Sequence, residues 1–324
     1  MDVNKKAFFS ALGVGAGLGA AAYLLARKEA YNFRIDFLTI DRTRDAQAVL
    51  PTGLSRRKTL KILHISDLHL AGHEVKKKIS FLDYITSQEY DLIFLTGDIF
   101  EHDEAVKYAP HLIARRPRLG AYAVLGNHDY YHYNMTNKIL GRIYKPLRNP
   151  KDHARDEVPL VEALEHVGYR VLRNQVEHLE GESLSIVGVD FPGIDPEHMT
   201  DLSASIPYGN LKLALLHMPV ALDMYVKNEI DVVFGGHTHG GQVRIPGIGA
   251  LITDSELARE HASGLFKREN THFHISQGLG SDPKTNFRVF CPPHATVIEI
   301  EYEPVYATAN YATSAEKTKT GITN

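Results

Sequence analysis

The feature that most limits the fold is a set of short apolar runs, each stopping at a residue able to bind metal. KILHIS leads into Asp67-Leu68-His69 and DLIFLTG into Asp98. AYAVLG leads into Asn127-His128-Asp129, KLALLH ends in His217, and DVVFGG ends in His237-Thr238-His239. Runs of this length and composition fit buried strands. Helical patterns lie between them: VKKKISFLDYITSQ, EAVKYAPHLIARR and PLVEALEHVG. Strands alternating with helices predict a layered α/β domain. In such sheets ligands bind beyond the carboxyl ends of strands, so these strand ends would gather the polar residues at one edge. Later, THFHISQG and ATVIEIEY follow with little helix around them, which predicts a partly antiparallel second sheet.

The residue types suit a pair of metal ions. The chain has a single cysteine, Cys291, so neither an internal disulfide nor a thiolate zinc site can form. Carboxylate, amide oxygen and imidazole donors fit Mn, Fe or Zn. Asp67 and His69 are two apart, which in extended chain points both to one side, and His237 and His239 repeat the spacing. A lone carboxylate such as Asp98 can bridge two ions. Two ions about 3.5–4 Å apart are the usual clamp for attack on phosphorus. Singly, each residue also has a structural reading: Asp67 as a helix cap, Gly97-Asp98 as a turn, His217 as a core histidine. The formal net charge of -3 gives no indication of nucleic-acid binding by bulk charge.

The motifs DLH, GDIF, GNHD, LLH and GHTHGGQ, in that order, resemble the signature of calcineurin-like metallophosphoesterases. The resemblance runs from about Leu60 to Tyr302. It implies a four-layer αββα sandwich with a dimetal site at the carboxyl edge of the strands. It further implies that Asp67, His69, Asp98 and His239 hold one ion, and that Asp98, Asn127, His217 and His237 hold the other. His128 would face the phosphate and serve the leaving oxygen, with Asp129 orienting it. Within the family, ISDLHL, GNHDYY, GHTHGGQ and Gly278-Leu279-Gly280 are similar to a membrane-associated bacterial branch. That branch contains small phosphodiesterases and pyrophosphatases acting on UDP-2,3-diacylglucosamine. The implied partners are a phosphoester substrate, lipid-linked in one reading, and a membrane. A phosphomonoesterase or phosphodiesterase exported to the cell envelope is the alternative, and a membrane-tethered binding protein on a retired enzyme fold is a third.

Residues 1–28 carry the second constraint. Ala7 to Ala26 holds no charge over a length that just spans a bilayer core, with Lys5-Lys6 before it and Arg27-Lys28 after. Three readings stand: a transmembrane anchor, a signal segment cleaved near LGAAAY, or a buried helix, the last disfavoured by its alternating glycines. The flanking charges do not fix orientation. Residues 29–58 read as a connector containing a strand at RIDFLTI, residues 59–304 as the catalytic domain, and residues 305–324 as a disordered tail. His64 is expected to point away from Asp67 in a structural role. His102, His111, His132 and His153 read as solvated, and Lys76-Lys77-Lys78 as a helix surface. The segment Tyr130–Glu157, rich in tyrosine and in cations such as Arg142, Lys145, Arg148 and Arg155, reads equally as a solvated face or as a cap over the site.

Overall fold

The structure is a computed structural model that describes residues 19–43, 57–71, 75–132, 154–251, 253, 255–281 and 286–303. The strands β1 (Arg34–Asp41), β2 (Lys58–Ile65), β3 (Leu92–Thr96), β4 (Gly120–Val124) and β5 (Tyr169–Val171) build one sheet. The chain then enters a second sheet through β6 (Gln175–Leu179), β7 (Leu184–Val189), β8 (Leu211–Leu216) and β9 (Val232–Gly235). A hairpin of β10 (Arg244–Ile245) and β11 (Gly249–Ala250) precedes β12 (Gly264–Arg268) and β13 (Thr271–Ile275). Finally β14 (His294–Tyr302) crosses back to the first sheet. The two six-stranded sheets run in the orders β1-β14-β2-β3-β4-β5 and β12-β13-β9-β8-β7-β6.

Three apolar layers make this an αββα sandwich. Leu60, Ile62, Phe94, Val124, Ile186, Leu213 and Phe234 fill the space between the sheets. Helices α1 (Val75–Thr86) and α2 (Val158–Val167) cover the outer face of the first sheet over Leu63, Ile65, Ile93 and Leu95. Helices α3 (Pro196–Ala204) and α4 (Leu222–Lys227) cover the second over Val187, Ala214 and Val233. Central strands such as β3 are buried at every position because helix lies on one face and sheet on the other. Helix α1 buries Val75, Lys78, Leu82 and Ile85, one helical stripe.

Two expectations differ from the structure. ATVIEIEY does not join the second sheet: it is β14, antiparallel to β2 and parallel to β1. Its burial from His294 to Ile298, and again at Ile300 and Tyr302, reflects its place inside the first sheet between those neighbours. EAVKYAPHLIARR forms a 3-10 helix over Asp103–Leu112 rather than an α-helix. Pro110 inside it lacks an N–H and crowds the preceding turn, which disfavours the α ladder. The strand at RIDFLTI is β1 and pairs along its length with β14. Residues 19–29 are helical, and no helix among the described residues is long and apolar enough to cross a membrane. Most of Ala7–Ala26, the tail from residue 305 and residues 133–153 of the cationic segment lie outside the described residues.

Candidate metal centre

Each donor sits just past the end of a strand: Asp67 and His69 after β2, Asp98 after β3, Asn127 after β4, His217 after β8, and His237 and His239 after β9. The parallel pairing of β2, β3 and β4, and of β7, β8 and β9, puts all these ends at one edge. Asp67, His69, Asp98, His237 and His239 all have positive φ, between 41° and 71°. Non-glycine residues avoid this region, and such strain persists at sites where the surroundings enforce it. Two glycines admit the close approach. A Cβ on Gly126 would stand 2.3 Å from Asp98 Oδ1, and one on Gly236 would stand 2.5 Å from Asp67 Oδ2.

Donor atoms from Asp67, His69 and His239 lie within 4.8 Å of one another, as do those from Asp98, His217 and His237. Asp98 Oδ2 stands between the groups, 3.6 Å from His69 Nε2 and 3.4 Å from His217 Nε2. Asn127 Oδ1 is 3.1 Å from His217 Nε2, and His239 Nε2 is 3.2 Å from His69 Nε2.

The hydrogen bonds behind these atoms test whether a cation fits. His217 Nδ1 donates to the Thr96 carbonyl, 2.8 Å away. In the neutral ring Nε2 therefore turns its lone pair toward the oxygens of Asn127 and Asp98, which are acceptors too. His69 Nδ1 likewise meets the Glu101 carboxylate at 2.9 Å, so its Nε2 lone pair points at Asp98 and His239. Acceptors converging on two points, at a buried edge, suit two cations. Burial opposes charging His217, but the Asp98 carboxylate overcomes it and pushes the ring up to about 10. Burial also opposes ionisation of Asp98, yet His217 and His128 hold its carboxyl well below the usual range. Metal bound by such a ring displaces a proton.

His128 lies beside this cluster, its ring 4.6 Å from that of His69. Its backbone N–H donates to Asp98 Oδ1 at 2.8 Å, and its Nδ1 meets Glu101 Oε2 at 3.1 Å. Glu101, not Asp129, therefore orients the ring. The Asp129 carboxylate accepts from the backbone N–H groups of Asp98, Ile99 and Gly126, between 2.8 and 3.0 Å. It fixes the β3 loop that carries Asp98.

Lys78 is buried, and its ammonium donates to the carbonyls of Leu68 and His69, so the lysine triplet is not all helix surface. Burial, and then Arg288, pushes Lys78 down to about 7. Arg155 turns inward as well, donating to the carbonyls of Phe100 and His128 rather than facing solvent. Arg288 is fully buried and donates to the carbonyls of Gln277, Gly278, Gly280 and His239. Gln242 closes the turn after His239, its N–H donating to the His239 carbonyl, and its own carbonyl accepts from Val289 N–H. His64 is buried between the sheets, with Nδ1 2.8 Å from His274 Nδ1 and Nε2 2.8 Å from Thr96 Oγ1. His102 and His132 are exposed, whereas half-exposed His111 pairs with Asp83 at 2.7 Å.

The sandwich and its clustered oxygen and imidazole donors suit a metal-dependent hydrolase of phosphoesters. Residues 60–241 match the calcineurin-like phosphoesterase family, and the chain belongs to it. Its relatives include the uncharacterized metallophosphoesterase YkoQ of Bacillus subtilis, 32% identical over 76% of this chain and 86% of that one. YkuE, another uncharacterized metallophosphoesterase of the same organism, is 25% identical over 91% of this chain and 96% of its own length. The UDP-2,3-diacylglucosamine pyrophosphatase LpxG of Chlamydia trachomatis is 29% identical over 79% of this chain and 88% of its own.

Proposed function

We propose that this chain hydrolyses a phosphodiester or pyrophosphate bond in a membrane-borne substrate, with lipid-linked sugar nucleotides as the leading class. The hydrolase part rests on the convergence of lone pairs from His69, Asp98, Asn127 and His217 beside the His128 ring. Similarity to LpxG supports the lipid-linked part, and the uncharged run from Ala7 to Ala26 supports the membrane. In this reading Asp67, His69, Asp98 and His239 hold one ion, and Asp98, Asn127, His217 and His237 hold the other. Two divalent ions held there would supply charge neutralisation at the phosphoryl oxygens and a more acidic water for attack on phosphorus. The Glu101 carboxylate holds the Nδ1 proton of His128, which assigns proton transfer to the leaving oxygen to Nε2. Lys78 and Arg155 brace the backbone of His69 and His128 from behind.

The test is hydrolysis of bis(p-nitrophenyl) phosphate with manganese, with chelator, and beside Asn127→Ala. Turnover that needs manganese and that the variant loses supports the assignment. Absence of both turnover and bound metal sinks it. Release of UMP from UDP-2,3-diacylglucosamine then tests the substrate class. The exported alternative keeps one supporting feature, the small residues of LGAAAY. N-terminal sequencing of the protein recovered from cells separates the two, since export with cleavage removes the apolar run.

A further inference from the structure

The bare apolar strip beside the metal centre points to a specific partner. Strands β1 and β14 are parallel, with Arg34 opposite His294, and β14 is antiparallel to β2, with Thr296 opposite His64. The chain therefore enters the first sheet at the same edge from which Asp67 and Asp98 project. The helix that precedes β1 is tied down there. Arg288 N–H donates to the Ala26 carbonyl at 3.0 Å, and the Glu29 carboxylate accepts from Phe290 N–H and Cys291 N–H at 3.1 and 2.9 Å. Phe33 stacks on Phe81 of α1, 5.2 Å between ring centres. The 286–291 strip in turn touches the hairpin, since Arg244 N–H donates to the Val289 carbonyl at 2.9 Å. Helix, strip and hairpin thus form one continuous rim. Its link to the metal loop is Arg288, whose guanidinium donates to the His239 carbonyl.

This rim is apolar where it should be polar. Leu24 and Leu25 are 65% and 68% exposed, Phe290 63% and Ile248 62%, and Tyr23, Ile245 and Leu251 are exposed too. Bare apolar residues grouped on one rim mark an interaction surface. Lys28, Lys76 and Lys77 stand exposed nearby, the last over the Tyr31 ring. The sequence running back from Leu24 stays uncharged to Ala7. We infer that this rim is a bilayer-docking face: Leu24, Leu25, Ile245, Ile248 and Phe290 enter the interface of an anionic membrane and hold the metal edge against it. Large apolar residues flanked by lysines suit that boundary. The substrate class that follows is an amphiphile whose phosphoester lies at headgroup level. That step alone rests on the hydrolase reading; the docking face rests on the geometry.

The chain contains no tryptophan, so a single one reports its own surroundings. Full-length Ile248→Trp is mixed with vesicles of phosphatidylcholine and phosphatidylglycerol whose acyl chains carry bromine. Tyr208→Trp, 88% exposed just before β8 and hence at the opposite edge, is the control. The expected result is a blue shift and loss of emission for Ile248→Trp, with neither for the control. Equal responses, or failure of the chain to sediment with the vesicles, would overturn the inference. Emission already blue before lipid is added, and unchanged by it, would assign the rim to another segment of this chain and overturn it too. Manganese-dependent hydrolysis of soluble bis(p-nitrophenyl) phosphate by the same two proteins reports the hydrolase reading separately, because neither residue touches the metal centre.

Discussion

At the residue scale, Glu101 carries the sharpest prediction. One carboxylate meets Nδ1 of both His69 and His128, so it sets the tautomer of both rings together, the proposed metal donor and the proposed leaving-group acid. Glu101→Gln keeps the shape but can donate as well as accept. Partners of this kind cost roughly 10–100-fold when lost. We expect a fall of that size in kcat for bis(p-nitrophenyl) phosphate, with metal content measured in parallel. Asn127→Ala removes a donor outright and should cost more than Glu101→Gln does. The clustering of these residues was legible in the sequence because each follows an apolar strand and the residue types share one chemistry. Glu101 was not, since it sits three residues past Asp98 among ordinary loop residues. Lys78 was hidden for another reason: three consecutive lysines read as surface, and only the helical register shows which one turns inward.

At the scale of elements, the loop after β9 meets that after β2, and the loop after β4 meets that after β3, so closely that glycine becomes a structural requirement. Gly236→Ala would drive a Cβ to 2.0 Å from Ser66 Oγ as well as onto Asp67. The expected outcome is loss of manganese affinity by isothermal titration, while circular dichroism retains the αββα signature. Between the sheets, His64 and His274 share one contact at 2.8 Å, which holds a single proton. Burial, then His294, pushes His274 down to about 3, and burial, then His274, holds His64 well below its usual value. The unfolded chain, with histidines near 6.5, binds more protons between pH 6.5 and about 3, so stability falls as pH drops through that window. The limiting slope is about 1.4 kcal/mol per pH unit for each ring. Melting temperature against pH should fall less steeply for His274→Asn than for the parent. The strand-helix alternation made the layers legible, but not the sheet to which β14 returns. Its apolar pattern serves either sheet equally, and only its pairing with β1 and β2 decides.

At the scale of the whole molecule, the N-terminal helix is part of the folded body. Deleting residues 1–18 leaves the bonds of Ala26 and Glu29 in place. Deleting residues 1–30 strips partners from the backbone N–H groups of Arg288, Phe290 and Cys291. Three such losses, each costing about 1 kcal/mol, should lower the melting temperature of the longer deletion by a few degrees relative to the shorter one, as calorimetry can show. The parallel pairing of β1 with β14 has a practical corollary. Arg34 and His294 start together at the metal edge, and Asp41 and Glu301 finish together at the far one. Seven residue steps at about 3.3 Å separate the two edges by roughly 23 Å. A reporter fused after Tyr302 would leave from the pole opposite the catalytic one, clear of substrate traffic. Immobilising the enzyme through that pole would turn every active site outward from the support.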